Sequence, residues 1–384
     1  MKILRIIPTM NPQKGGVAEA AAQSARLLKK ENIDIEILCF DKDTDEWIIK
    51  ADYKVIPLGQ YLTYFAINFS YIPWLIKNIK NYDLVIIDGL WLFHLLGGYI
   101  CKLFNIPYVV YTHGMLDPYF NKNRLKYLKK LPFWFLIDRN ILNMAEYVLY
   151  TCEEEKLISK NSFPFYHPNE YVVTLGIEKN TTKESIIEKL FLKTFSDLEN
   201  KKIILYLSRI HPKKGLELLV EAVNQKKDLL DNHIFVIAGS GDEKYISELK
   251  FLISEYKIDT YFKWVGNLSG DLKWSAFYNA DSFILPSHSE NFGIVVAEAL
   301  SVGTPVLITN KVNIYHEIQN HKAGIVVNDT IDGIKELIEK YICIKKDNYE
   351  NMKENTIKCF EKCFSNEAYK NDFLKLIQKV KNEQ

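Results

Sequence analysis

The chain has 384 residues, with 49 Lys and Arg against 48 Asp and Glu and a formal net charge of +1. That balance argues against nucleic acid as the main partner, leaving only a local basic patch to serve such a role. The length suits two domains, each large enough for its own core. Six cysteines (Cys39, Cys101, Cys152, Cys343, Cys359 and Cys363) are scattered without a CxxC, and Cys359 and Cys363 merely share a helix face. This reads as reduced thiols in a cytosolic protein, not a disulfide frame or a zinc site.

Along the chain, short apolar runs alternate with helical patterns. The first, Ile3–Ile7, is preceded by too little sequence for a signal peptide and reads as a strand. Further strands are expected at Ile35–Phe40, Leu84–Ile87, Tyr108–Thr112, Tyr147–Thr151, Ile203–Ser208, Ile234–Ala238, Ser282–Leu285 and Pro305–Thr309. Helices are expected at Val17–Lys30, Gly215–Val223, Tyr245–Glu255 and Gly293–Ser301. Apolar strands alternating with helices predict parallel sheets covered on both faces. The longest apolar region, Leu84 to Cys101, holds Asp88, His94 and three glycines, so it reads as a strand and core helix rather than a membrane span. The polar stretch from about Glu178 to Lys202, which carries only a short helical patch, is the expected domain boundary. Two doubly wound domains imply a cleft, with ligands beyond the carboxyl ends of the strands.

Candidate site residues fall at such strand ends. After the first strand, Asn11-Pro12-Gln13-Lys14-Gly15-Gly16 opens a helix with a glycine pair that can admit a phosphate or sugar; it lacks the GxGxxG spacing of a dinucleotide site. Asp41-Lys42-Asp43 matches a DxD metal motif by letter but reads as a loop. His113 ends a strand and precedes Gly114. From Lys122 to Arg139, the cations Lys122, Arg124, Lys126, Lys129 and Lys130 interleave with aromatics, either as a face for an anionic bilayer or as a helix packed on the core. In Ser208-Arg209-Ile210-His211-Pro212-Lys213-Lys214-Gly215, cations crowd a helix N-terminus that repels them, which implies a missing anion; a diphosphate fits. Gly239-Ser240-Gly241, after Ile234–Ala238, is a turn similar to the Gly15-Gly16 pair. Finally, Glu290 lies just before an apolar helix, beside Asn291, Phe292, Gly293 and Ile294, and Glu298 lies within it among Ile294, Val295, Ser301 and Val302. A carboxylate on so apolar a face is costly without a partner. The bland alternative is pairing with a nearby lysine.

Glu290 and Glu298 resemble the E-x7-E motif of retaining glycosyltransferases of family 4, the group 1 glycosyltransferases. The Ser208-Arg209…Lys214-Gly215 block is similar to that family's phosphate-binding segment. Gly15-Gly16, His113-Gly114, Gly239-Ser240-Gly241 and Val265-Gly266 follow in the family's order, and Phe364 through Ile377 looks like its final helix. The resemblance implies an α/β protein of GT-B fold: two doubly wound Rossmann-like domains facing a central cleft, with the C-terminal helix crossing back to the first domain. The expected division is an acceptor-side domain at 1–178, a linker at 179–200, a nucleotide-sugar domain at 201–364 and the helix at 365–384.

It further implies transfer of a sugar from a UDP- or GDP-sugar to a hydroxyl of a glycan or lipid-linked acceptor, with retention, no metal and no cofactor. Arg209 and Lys214 would hold the diphosphate, Glu298 the ribose, and Glu290 with the amides of Phe292 and Gly293 the sugar. Gly16 would approach the phosphate, His113 would lie beside the sugar, and Gly266 and Leu268 would meet the base. The implied setting is surface polysaccharide synthesis in the cytoplasm, at the inner face of the membrane. The alternatives are an epimerase or phosphorylase of the same fold, or a non-catalytic glycan-assembly subunit.

Overall fold

A computed structural model describes residues 1–14, 16–121, 124–180 and 184–382. The chain divides into two compact units, Met1–Gly176 with Asn366–Gln384, and Ile177–Ser365. Gly15 and Lys122, both expected to contribute to function, lie outside the described residues.

The first unit is built on strands β1 (Lys2–Ile6), β2 (Asp34–Cys39), β3 (Lys54–Pro57), β4 (Leu84–Asp88), β5 (Tyr108–Tyr111), β6 (Tyr147–Tyr150) and β7 (Glu170–Val172), in the order β3-β2-β1-β4-β5-β6-β7. Every pairing is parallel. Side chains of a strand alternate between faces, so each central strand feeds two cores. Ile3, Ile35, Ile37, Leu84, Ile86 and Val109 pack on one face, beneath helix Gly16–Lys29 and the C-terminal helix Asn366–Asn382. Leu4, Leu38, Val85, Ile87 and Val110 pack on the other, with Tyr71, Leu75, Trp134 and Ile141. Helix Gly16–Lys29 buries Ala18, Ala21, Ala22, Ala25 and Leu28, a helical stripe of small residues that brings it close to the sheet. Burial of the final helix through Tyr369, Phe373, Leu376 and Ile377 explains why the chain's end belongs to this unit.

The second unit contains β8 (Lys202–Leu207), β9 (His233–Ala238), β10 (Phe262–Gly266), β11 (Ser282–Leu285), β12 (Val306–Thr309) and β13 (Gly324–Val327), all parallel in the order β10-β9-β8-β11-β12-β13. The stretch read as a linker contains helix Glu184–Thr194, which packs against helix Gly270–Asn279. Ile187 and Phe191 are buried there, and the Phe191 amide donates to Ser275 Oγ at 2.8 Å. This segment therefore belongs to the second unit's core. The short helical patch visible there in the sequence is thus a packed helix of this unit rather than part of a linker.

Candidate functional site

In the second unit, the loops after β8, β9 and β11 converge. Leaving β8, the chain makes a short helical turn, Pro212–Lys214, capped by His211, whose Nδ1 accepts from the Lys213 amide at 3.0 Å. Gly215 then turns left-handed (φ +66°), and a Cβ there would stand 2.0 Å from the Pro286 carbonyl oxygen. Only glycine lets these two loops touch. They are stitched further by the His288 amide and Ser287 Oγ, both donating to the Lys213 carbonyl, at 2.9 and 3.1 Å. Gly239 makes a second close approach, since its Cβ would meet the Ser208 oxygen at 1.9 Å. The Ile210 amide bonds Ser240 and the Gly239 amide bonds Gly266, which ties the ends of β8, β9 and β10 together.

This stitching gathers charge. Lys214 forms an ion pair with Glu290, each side chain largely buried. Burial, then the cations of Lys213 and Arg209, push the Lys214 ammonium down to about 8. The Glu290 carboxylate in contact with Nζ pulls the other way. Arg209 itself is exposed. Glu290 is pinned by its backbone: its amide donates to Lys311 at 2.8 Å, and its carbonyl accepts from the Asn313 amide at 3.0 Å. Gly293 precedes helix Ile294–Ser301, Phe292 is buried edge-on against Phe364, and Leu268 is buried after β10. The carboxylate of Glu298, 13% exposed, finds its partner in Lys273 Nζ at 2.8 Å. The lysine alternative is thus the arrangement seen for Glu298. Lys273 also lies 4.8 Å from the Trp274 ring centroid. His288, unremarked in the sequence, links Glu217 (2.7 Å) and Asp329 (3.2 Å) beside the Lys213 carbonyl.

The remaining expected residues lie in the first unit. Gly16 is exposed at the start of its helix. His113, with φ +48°, stacks on Tyr111 and meets Asp88 Oδ1 through Nε2 at 2.7 Å. Asp88 is fully buried and also accepts from Arg5 Nε (2.6 Å) and Nη2 (2.7 Å), while Arg5 Nη1 donates to Ser24 at 2.7 Å. Burial pushes the Asp88 carboxyl up, but Arg5 and the His113 bond more than offset this and hold it below the carboxylate range. Sequence reasoning missed this Arg5–Asp88–His113 network, although a charged residue in each of two apolar strands was the available signal. Next to it, a cavity of about 260 Å³ is lined by Lys14, Tyr61, Tyr64, Asp88, His94 and Met115, among others. The DxD letters have a structural use: Asp41 accepts from Thr9 Oγ1 and the Met10 amide, both at 2.6 Å.

The basic and aromatic segment divides. Trp134 is buried and donates to the Pro164 carbonyl at 2.8 Å, and Lys130 sits 4.9 Å from the Trp91 ring centroid. Leu125, Leu128, Phe133, Phe135 and Leu136 remain exposed alongside Arg124 and Lys129. The side chain of Lys126 is outside the described residues. Among those described, no helix is long and apolar enough to cross a membrane.

Each unit is a Rossmann-type layer built on an all-parallel sheet, and in the second unit glycine-tied loops at the strand ends gather cations and an acid. Two family models match, "Glycosyl transferases group 1" over residues 189–359 and "Glycosyltransferase Family 4" over residues 14–173. The chain belongs to the group 1 glycosyltransferases of GT-B fold. Among curated relatives, the alpha-1,3/1,6-mannosyltransferase of Saccharomyces cerevisiae is 23% identical over 345 residues, covering 79% of this chain and 67% of that protein. An uncharacterized glycosyltransferase of Methanocaldococcus jannaschii is 24% identical, covering 66% and 64%. The chain thus spans about two thirds of the length of these relatives. Among solved structures, HepE of Anabaena in complex with UDP is 16% identical with a TM-score of 0.75, covering 98% of this chain and 100% of that one. A glycosyltransferase from Rickettsia africae is 20% identical, also at 0.75, covering 99% of each.

Proposed function

We propose that the chain transfers a sugar from a UDP- or GDP-sugar to a hydroxyl of a glycan or lipid-linked acceptor, with retention of configuration, in surface polysaccharide synthesis. The observation that carries this reading is the Lys214–Glu290 pair, held between Arg209, Lys213 and the start of helix Ile294–Ser301. Lys214 and Arg209 bind the diphosphate and stabilise the negative charge that grows on it as the sugar departs. One well-placed donor of this kind lowers the barrier by roughly 3 kcal/mol. Glu290, released from Lys214, accepts from sugar hydroxyls, and Glu298 accepts from the ribose. Two cations and a helix end supply the positive charge, so transfer proceeds without added Mg²⁺ or Mn²⁺. HepE was solved with UDP and with UDP-glucose, which supports a nucleotide-sugar donor here. The cavity beside Asp88 suits an acceptor hydroxyl, and the exposed leucines and phenylalanines beside Arg124 and Lys129 suit the surface of an anionic membrane.

The test is calorimetry of UDP, GDP and ADP, and of their sugar conjugates, against the parent, Lys214→Ala and Glu298→Ala, followed by transfer assays over an acceptor panel. One nucleotide binds the parent, and both variants weaken it. Lys214→Ala cuts transfer on the order of a hundredfold. Equal transfer by parent and Lys214→Ala refutes the diphosphate role. Donor isomerisation without an acceptor, or phosphate-dependent cleavage, would replace the transferase reading with an epimerase or phosphorylase. For the membrane, charge reversal at Arg124 and Lys129 should release the protein from anionic vesicles, and unchanged binding ends that part of the proposal.

A further inference from the structure

The sequence shows Cys359 and Cys363 on one helix face, which is two ligands and no more. The structure adds a third. His321 closes helix Tyr315–His321, and this helix packs against helix Lys346–Cys363, whose last turn carries both cysteines. The ligand atoms of His321, Cys359 and Cys363 all lie within 4.8 Å of one another. One backbone oxygen aligns two of them: the Glu317 carbonyl accepts from His321 Nδ1 at 2.9 Å and from Cys359 Sγ at 3.7 Å. Cys359 is buried, and His321 and Cys363 are half-buried, so the cluster is shielded yet reachable.

We propose that His321, Cys359 and Cys363 form a binding site for a thiophilic divalent ion of the Zn²⁺ type. Tetrahedral zinc takes thiolates at about 2.3 Å and imidazole at about 2.1 Å, which places neighbouring ligand atoms roughly 3.5–3.8 Å apart. Side-chain adjustments of about 1 Å close the present cluster to that geometry. Two thiolates and an imidazole exclude hard ions such as Mg²⁺ and Ca²⁺. On binding, each thiol gives its proton to solvent as its sulfur bonds the metal, so uptake of one Zn²⁺ releases up to two protons. The fourth position goes to water.

The ion would act as a staple. Helix Lys346–Cys363 also packs against helix Ile294–Ser301, and helix Tyr315–His321 follows the segment that grips the Glu290 backbone. Joining the two helices braces that segment.

The test uses the full chain, stripped with chelator and kept in a phosphine reductant. Co²⁺ titration should give thiolate-to-metal absorption in the near ultraviolet that saturates at one equivalent and is displaced by Zn²⁺. Cys363→Ser and His321→Gln should each remove or sharply weaken it, whereas Cys343→Ser, an exposed cysteine outside the cluster, should keep it. Zn²⁺ at a hundredfold excess over its Kd should raise the melting midpoint of the parent by roughly 5–10 °C. No band in the parent, or a band unchanged by Cys363→Ser and His321→Gln, overturns the site.

Discussion

Asp88→Asn is nearly isosteric and removes one charge, so it isolates the electrostatics of the first unit's core. Arg5 is 2% exposed as a side chain and Asp88 is fully buried. With the carboxylate gone, the buried guanidinium keeps Ser24 and at most one amide oxygen at position 88, and loses its counter-charge. Breaking one side of a buried ion pair costs about 3–5 kcal/mol. For a unit of about 200 residues, the unfolding entropy is near 0.4 kcal/mol/K, so the first unit's melting midpoint should fall by roughly 7–12 °C. Scanning calorimetry of the full chain reads this directly, because the second unit's transition serves as an internal reference. The double replacement Arg5→Met with Asp88→Leu removes both charges and should lose less than the single change. A single variant melting within 2 °C of the parent would refute the claim that this pair is an uncompensable buried charge. The same variant also frees His113, whose left-handed backbone is held in part by the Asp88 bond.

Two further outcomes follow from geometry. Burial pushes His94 down to about 4, its Nε2 bonds the Asp88 carbonyl, and its buried Nδ1 has no hydrogen-bond partner among the described residues. The unfolded chain therefore binds more protons between pH 6.5 and 4, and the stability of the first unit drops through that window by about 3 kcal/mol. Asp138, pushed up to about 6 by burial, works in the opposite sense, so the measurement is the difference between the pH–melting curves of parent and His94→Gln. Identical curves would dismiss the His94 contribution. Gly215→Ala should cost about 2–3 kcal/mol and weaken nucleotide binding, because its methyl meets a backbone oxygen that cannot step aside. Unaltered denaturant midpoint and affinity would show that the two loops do not need that contact.

Nine of the thirteen strands among the described residues were legible in the sequence, and the four that were not share one property. β3, β7, β10 and β13 are the edges of the two sheets. Central strands are buried on both faces and read as nearly continuous apolar runs, such as Leu84–Ile87 or Ile203–Leu207. An edge strand meets solvent on one side and tolerates the charge in Lys54–Pro57, Glu170–Val172 and Phe262–Gly266. Helix Glu184–Thr194 showed in the sequence only as a short helical patch, and its place in the second unit rests on packing against helix Gly270–Asn279, a partner 86 positions further along the chain. Pattern reading finds what is buried all round and loses what is half-buried.

The same limit governs the site. Residue types and spacing singled out Glu290, Glu298, Arg209 and Lys214, because charge in an apolar or cationic setting is conspicuous without a structure. Partners were not legible, since pairing depends on which loops the sheet order makes neighbours. Glu298 meets Lys273 because the helices after β10 and β11 bring them together, and Glu290 meets Lys214 because β8 and β11 are adjacent. Cations crowded at a helix start implied an anion, and in the structure Glu290 stands in that place. On the proposed reading, a diphosphate arriving at Lys214 displaces a carboxylate rather than filling a void. The exchange costs little, because one anion replaces another, and it turns Glu290 free at the moment a sugar needs an acceptor for its hydroxyls. Two residues seventy-six positions apart thus act as one device, and only the parallel pairing of β8 with β11 makes them so.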